Sequence, residues 1–221
     1  MKIENNILRH YLRNVYFING TAYAGKSTAA RMLAERYDMI LCGENYHNAV
    51  TDEVADPAIQ PDLCYMKQMS SWQDFVNRPP EEYERWIYGC SEEVAGFEVA
   101  ELIAISRNQR VIVDTNIPVD ILREISDYSR VAIMLSPQSM SVERFFDRSD
   151  PEKLFILSQI EASENPEKTM ANYKAGLALI NSRKHYDELA GSGFFTIVRE
   201  DNGLDTREEV CDRLAEHFGL K

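Results

Sequence analysis

Positions 19 to 28 read NGTAYAGKST, with two glycines five residues apart and a lysine and a serine directly after the second. The segment Gly20 to Ser27 fits G-x-x-x-x-G-K-S/T at every position, with the apolar run VYFI (15–18) before it and a helix-forming stretch after it. Gly20 and Gly25 allow backbone angles and a closeness of approach that a Cβ would forbid. The amides of Gly20, Thr21, Ala22, Tyr23, Ala24 and Gly25 can then turn toward one anion. Lys26 adds a point charge and Ser27 a hydroxyl suited to a divalent cation. The helix that starts through Lys26, Ser27 and Thr28 sets its positive end against the same anion. Together these residue types in this order describe a cradle for a polyphosphate.

A cradle of this kind needs a strand to deliver it and a helix to complete it. Short apolar runs rich in β-branched residues fall at 15–18, 39–42 (MILC), 111–114 (VIVD), 131–135 (VAIML) and 194–198 (FFTIV), which suits strands buried on both faces of a parallel sheet. Between them the pattern predicts helices over 26–37, 62–77, 80–107, 118–128, 138–148, 166–190 and 205–218. The alternation implies an α/β fold with a doubly wound, five-stranded parallel sheet, in a single domain over 1–221. Two segments exceed what simple alternation needs, 43–109 and 136–193, and insertions at the carboxyl ends of parallel strands are where ligands bind. The predicted helix over 80–107 carries Glu81, Glu82, Glu84, Glu92, Glu93, Glu98 and Glu101 with few basic residues, which reads as a solvated acidic face.

Composition narrows the function classes. The formal charge of −12 disfavours nucleic acid and anionic membranes as partners, because both need a basic face. Cys42, Cys64, Cys90 and Cys211 are far apart and have no zinc-type spacing, as expected for reduced thiols in a cytoplasmic protein. The first residues, MKIENNILRHYLRN, lack an apolar signal core, and no apolar run is long enough to span a bilayer. The chain leaves room for a homodimer.

The stretch GTAYAGKS resembles the Walker A loop of P-loop NTPases. In length and element order the whole chain is similar to the P-loop kinases of small molecules, which include shikimate kinases, deoxynucleoside kinases and antibiotic phosphotransferases. GTPases match poorly, since no Asn-Lys-x-Asp motif is present, and the Leu-Ser-Gly-Gly-Gln signature of transporter ATPases is missing. The resemblance implies a loop that holds ATP with Mg²⁺, an acceptor bound in the 43–109 region, and a helical lid in the 136–193 region. It implies transfer of the γ-phosphoryl group of ATP to a hydroxyl of a small molecule, of nucleoside or shikimate type.

Glu44, after the second strand, stands where related kinases carry the carboxylate that takes the acceptor proton. Asp114 closes the third strand, resembles the Walker B position, and with Ser27 would hold Mg²⁺; a carboxylate at the end of a buried strand is costly without a cation or hydrogen bonds. The roles of Glu44 and Asp114 are interchangeable at this level. Arg144 and Arg148 in VERFFDRSD share one helical face and resemble lid arginines that neutralise the transferred group, although Asp147, Asp150 and Glu152 interleave with them. Tyr46, His47, Tyr65, Trp72, Tyr83, Trp86 and Tyr88 supply aromatic walls or core, with core favoured for Trp72 and Trp86. Residues Arg199 to Asn202 fall where relatives place a base-contacting loop. The competing expectation is a nucleotide-binding regulatory or interaction protein with little turnover.

Overall fold

The computed structural model describes residues 4–147 and 150–221. After α1 (Asn5–Tyr11) come β1 (Val15–Gly20), α2 (Lys26–Tyr37) and β2 (Ile40–Cys42). The first excursion holds α3 (Asn48–Val54), α4 (Tyr65–Gln68), α5 (Trp72–Val76) and α6 (Pro80–Ile105), and leads to β3 (Val111–Asp114). Next are α7 (Val119–Ile125) and β4 (Val131–Leu135), and then a second excursion of α8 (Gln138–Glu143), α9 (Pro151–Glu161), α10 (Pro166–Ile180) and α11 (Arg183–Ala190). The described chain closes with β5 (Phe195–Val198) and α12 (Arg207–His217).

The five strands form one all-parallel sheet in the order β2-β3-β1-β4-β5, so every strand ends on the same edge. Because side chains alternate along a strand, each face has its own core. Tyr16, Ile18, Ile112, Ala132 and Met134 pack with Ala30, Leu33 and Ala34 of α2 and with Cys211 and Leu214 of α12. Val15, Phe17, Val113, Ile133 and Leu135 pack with Ala95 and Leu102 of α6 and with Leu122 and Ile125 of α7. A third cluster lies off the sheet, where Phe75, Tyr83, Ile160, Tyr173 and Leu177 join α5, the start of α6, α9 and α10. The 26 residues of α6 make this possible, since its later turns lie on the sheet while its first turns reach into the outer helical layer. At the α6–α10 crossing Gly176 faces Tyr83, and a Cβ there would stand 2.8 Å from its Cδ1.

Three of the expected helices differ in extent. The 62–77 stretch is two short helices, because Ser71 starts α5 with a reciprocal cap in which its hydroxyl accepts from the Asp74 amide and the Asp74 carboxylate accepts from the Ser71 amide. The 166–190 stretch breaks at Asn181–Ser182, and the 138–148 stretch leaves the helix after Glu143. Helices α1, α3 and α9 lie outside the expected set. Among the described residues, no helix is long and apolar enough to cross a membrane. Cys42, Cys64, Cys90 and Cys211 are all free thiols.

Candidate functional site

The carboxyl edge of the sheet gathers the chemistry. Gly20 ends β1 opposite Met134 of β4, and the Thr21 amide donates to the Met134 carbonyl at 3.0 Å. Gly20 has φ +140°, and a Cβ on it would lie 1.8 Å from the Met134 oxygen, so only glycine fits between these strand ends. The loop then turns through Tyr23, at φ +65°, and Gly25, at φ +94°, into the first turn of α2.

Its outer side is fastened by residues from the neighbouring strand ends. The Ala22 carbonyl accepts from the Ser136 and Ser141 hydroxyls, the Thr21 hydroxyl accepts from the Ser136 amide at 2.8 Å, and the Tyr23 carbonyl accepts from Arg199 Nη1 at 2.8 Å. Fixing those carbonyls outward leaves the opposite side of the loop to amides. Among the described residues, no acceptor pairs with the amides of Ala22, Ala24 or Gly25. Lys26 Nζ spans the loop and donates to the Gly20 and Thr21 carbonyls, each at 3.2 Å.

Parallel pairing of Ile18 with Asp114 brings the end of β3 beside the loop. Ser27 Oγ donates to Asp114 Oδ2 at 2.6 Å. Asp114 is 1% exposed, and its Oδ1 has no hydrogen-bond partner. Burial raises its pKa, Lys26 and the Ser27 hydrogen bond oppose that shift, and the Glu44 charge adds to it. The orphaned oxygen, the hydroxyl beside it and the ammonium across the loop suit a metal-bound polyphosphate. Among the described residues no group of three or more His, Cys, Asp or Glu side chains could hold a metal unaided.

Glu44 stands two residues beyond β2, is exposed, and accepts from Asn116 Nδ2 at 2.7 Å. Beneath it lies a residue that the sequence reading put on a solvated face. Glu98 is only 2% exposed: it sits on the α6 stripe formed with Ala95 and Leu102, which faces the sheet. Its carboxylate accepts from Thr115 Oγ1 at 2.7 Å, and Thr115 Oγ1 accepts in turn from the Ile117 amide at 3.0 Å. Burial pushes the Glu98 pKa up to about 7; the Thr115 bond opposes this, while Glu44, Asp114 and Glu101 reinforce it. Glu98 thereby orders the turn that carries Asn116, the partner of Glu44. The nearby His47 is also buried, with Nδ1 unpartnered, and burial lowers its pKa against the pull of Asp52 and Glu44.

The second excursion reaches the loop through α9, where Lys153 Nζ lies 5.4 Å from the Tyr23 ring centroid and 4.8 Å from that of Phe145. Arg144, at the end of α8, is half exposed and paired with Asp201 at 3.0 Å. Arg148 lies outside the described residues. The 199–202 segment therefore touches the loop through Arg199 on Tyr23 and the end of α8 through Asp201 on Arg144. Trp72 and Trp86 pack on the outer helical cluster. Sequence reasoning missed Glu98, Thr115, Asn116, Ser136, Ser141 and Lys153. Of these only Glu98 carried a sequence signal, a lone acid at helical spacing between Ala95 and Leu102. No protein-family model matches the chain, and no curated protein is significantly similar to it.

Proposed function

We propose that this chain is a doubly wound P-loop kinase that transfers a phosphoryl group from ATP, with Mg²⁺, to a hydroxyl of a small molecule. The observation that carries the reading is the Ser27–Asp114 hydrogen bond set beside a loop that tolerates only glycine at Gly20 and is spanned by Lys26. When bound, ATP with Mg²⁺ supplies the transferable group and neutralises part of its charge. Lys26 exchanges its two carbonyl partners for phosphate oxygens, and the amides of Ala22, Ala24 and Gly25, with Thr28 in the first turn of α2, complete the cradle, while the Gly20 and Thr21 amides stay committed to Asn19 and Met134. Ser27 and Asp114, whose Oδ1 has no hydrogen-bond partner, would hold the metal, which would draw charge off the phosphates. Glu44, steered by Asn116, accepts the proton of the acceptor hydroxyl as the new P–O bond forms and the bond to ADP breaks. Glu98, whose pKa lies near neutrality, positions that pair through Thr115. Cations from the second excursion, Lys153 and Arg144 with Arg148, close over the developing charge.

A second reading, a nucleotide-binding regulatory protein with little turnover, draws support from Arg144, which is already committed to Asp201. ADP release with ATP, Mg²⁺ and a panel of polyol, nucleoside and hydroxy-acid acceptors separates the two. For the kinase, one acceptor class raises ADP release, and Glu44→Gln lowers that rate by about 10²- to 10⁴-fold without weakening nucleotide binding. Tight nucleotide binding with no acceptor-dependent release by the unmodified protein replaces the kinase with the regulatory reading.

A further inference from the structure

A cavity of about 470 Å³ opens among α4, α5 and the first turns of α6, and no residue of the Gly20–Ser27 loop lines it. Its most unusual lining residue is Arg78, which is 7% exposed. The guanidinium carbon lies 3.9 Å from the Tyr65 ring centroid, 4.8 Å from Trp86 and 5.0 Å from Phe75. Asn172 Nδ2 donates to the Arg78 carbonyl at 2.6 Å and fixes the backbone beneath it. Nη2 has no hydrogen-bond partner, and among the described residues no carboxylate stands within ion-pairing distance of the guanidinium.

Ring faces offset part of the cost of burying this charge, but they do not satisfy a donor that prefers two oxygens in its plane. Two further acids line the same cavity. The Asp62 carboxylate is pressed against Gly89, where a Cβ would meet Oδ2 at 1.9 Å, and Asp74 closes the α5 cap. Glu82 and Arg85 are exposed lining residues without an ion pair among the described residues. The cavity thus offers one unsatisfied buried cation, aromatic walls and an open carboxylate at its mouth. With Asp62, Asp74 and Glu82 against Arg78 and Arg85, it suits a ligand carrying both signs of charge better than a bare anion.

We propose that this cavity is a binding site for a small zwitterion whose carboxylate pairs with Arg78, whose ammonium pairs with Glu82, and whose apolar body lies against Tyr65 and Trp86. The proposal is independent of what the Gly20–Ser27 loop binds, and its test contains no nucleotide. Trp72 and Trp86 are the two tryptophans of the chain, so Trp72→Phe leaves Trp86 as a fluorescent reporter inside the cavity. The probes are L-phenylalanine, 3-phenylpropionate, which lacks the ammonium, and phenethylamine, which lacks the carboxylate. The expected result is a saturable change with L-phenylalanine and binding weaker by about tenfold or more for each single-charge probe. Arg78→Met should weaken L-phenylalanine and 3-phenylpropionate about tenfold and leave phenethylamine unchanged. The exposed substitution Glu82→Gln, which leaves folding intact, should weaken L-phenylalanine about tenfold and leave 3-phenylpropionate unchanged. No saturable change with any probe up to about 10 mM, equal binding of all three, or insensitivity to Glu82→Gln overturns the proposal.

Discussion

Replacing Gly20 by alanine should damage the protein out of proportion to one methyl group. The new Cβ would lie 1.8 Å from the Met134 oxygen, 2.7 Å from its carbonyl carbon and 2.8 Å from its nitrogen, all of them backbone atoms that no rotamer change can move. Restoring van der Waals contact requires the ends of β1 and β4 to separate by about 1.5 Å. That motion breaks the 3.0 Å bond from the Thr21 amide to the Met134 carbonyl and loosens the Ser136 contacts that hold the loop. The hydrogen bond contributes about 1 kcal/mol, and strain at a φ of +140° adds about 1–3 kcal/mol. Together with the steric term the loss should be about 3–6 kcal/mol, a large share of a typical stability of about 5–15 kcal/mol. Urea denaturation followed by circular dichroism measures it. Gly43→Ala is the control: a Cβ there meets nothing within 4 Å, so it should stay within about 0.5 kcal/mol of the unmodified protein. A Gly20→Ala protein equal in stability to the Gly43→Ala protein would refute the claim that the loop is wedged between two strand ends.

Three further outcomes follow from the buried acids and the helical layer. Asp114→Asn keeps an acceptor for Ser27 while removing a buried charge, so unfolding in the absence of ligand should show equal or greater stability at pH 7, whereas calorimetry should show Mg²⁺-dependent nucleotide affinity falling about tenfold or more. Glu98 rises from an ordinary 4.5 to about 7, so between those values the folded state binds more protons than the unfolded chain; stability present at acid pH should therefore fall by up to about 3 kcal/mol as pH rises through this window, and Glu98→Gln should flatten that part of the stability profile. Gly176→Ala should cost about 1–3 kcal/mol in thermal unfolding, because its Cβ would press on Tyr83 at the α6–α10 crossing.

How far the sequence led depended on whether the deciding interaction was local. The strands at 111–114 and 131–135 are where their β-branched runs put them, because burial on both faces leaves no other pattern for such short segments. The strand, loop and helix around Gly20–Ser27 were legible because the glycines, lysine and serine stand at fixed spacing in one contiguous stretch, although what holds Gly20 and Ser27 comes from Met134 and Asp114 on neighbouring strands. Helix α9 was missed although Asp150 and Pro151 mark its start, with the Asp150 carboxylate accepting from the Glu152 amide. Asn165 and Pro166 repeat that signature at α10, where the start was read correctly. Glu98 was misread because seven acids on one long helix outweighed its position between Ala95 and Leu102. Ser136, Ser141 and Asn116 act through contacts that cross dozens of residues of chain, and no spacing rule reaches them. The pairing of Arg144 with Asp201 is equally non-local, and it shifts attention in the second excursion to Lys153, whose approach to Tyr23 depends on how α9 packs against α5.

The central claim is that the Gly20–Ser27 loop binds a nucleotide polyphosphate with Lys26 as its principal cation, and isothermal titration with ATP and Mg²⁺ tests it most directly. The account predicts saturable 1:1 binding at micromolar to submillimolar concentrations, weakened about tenfold or more by Lys26→Ala in a protein that remains folded. No binding of ATP or GTP at millimolar concentrations, or equal affinity in the Lys26→Ala protein, would contradict it.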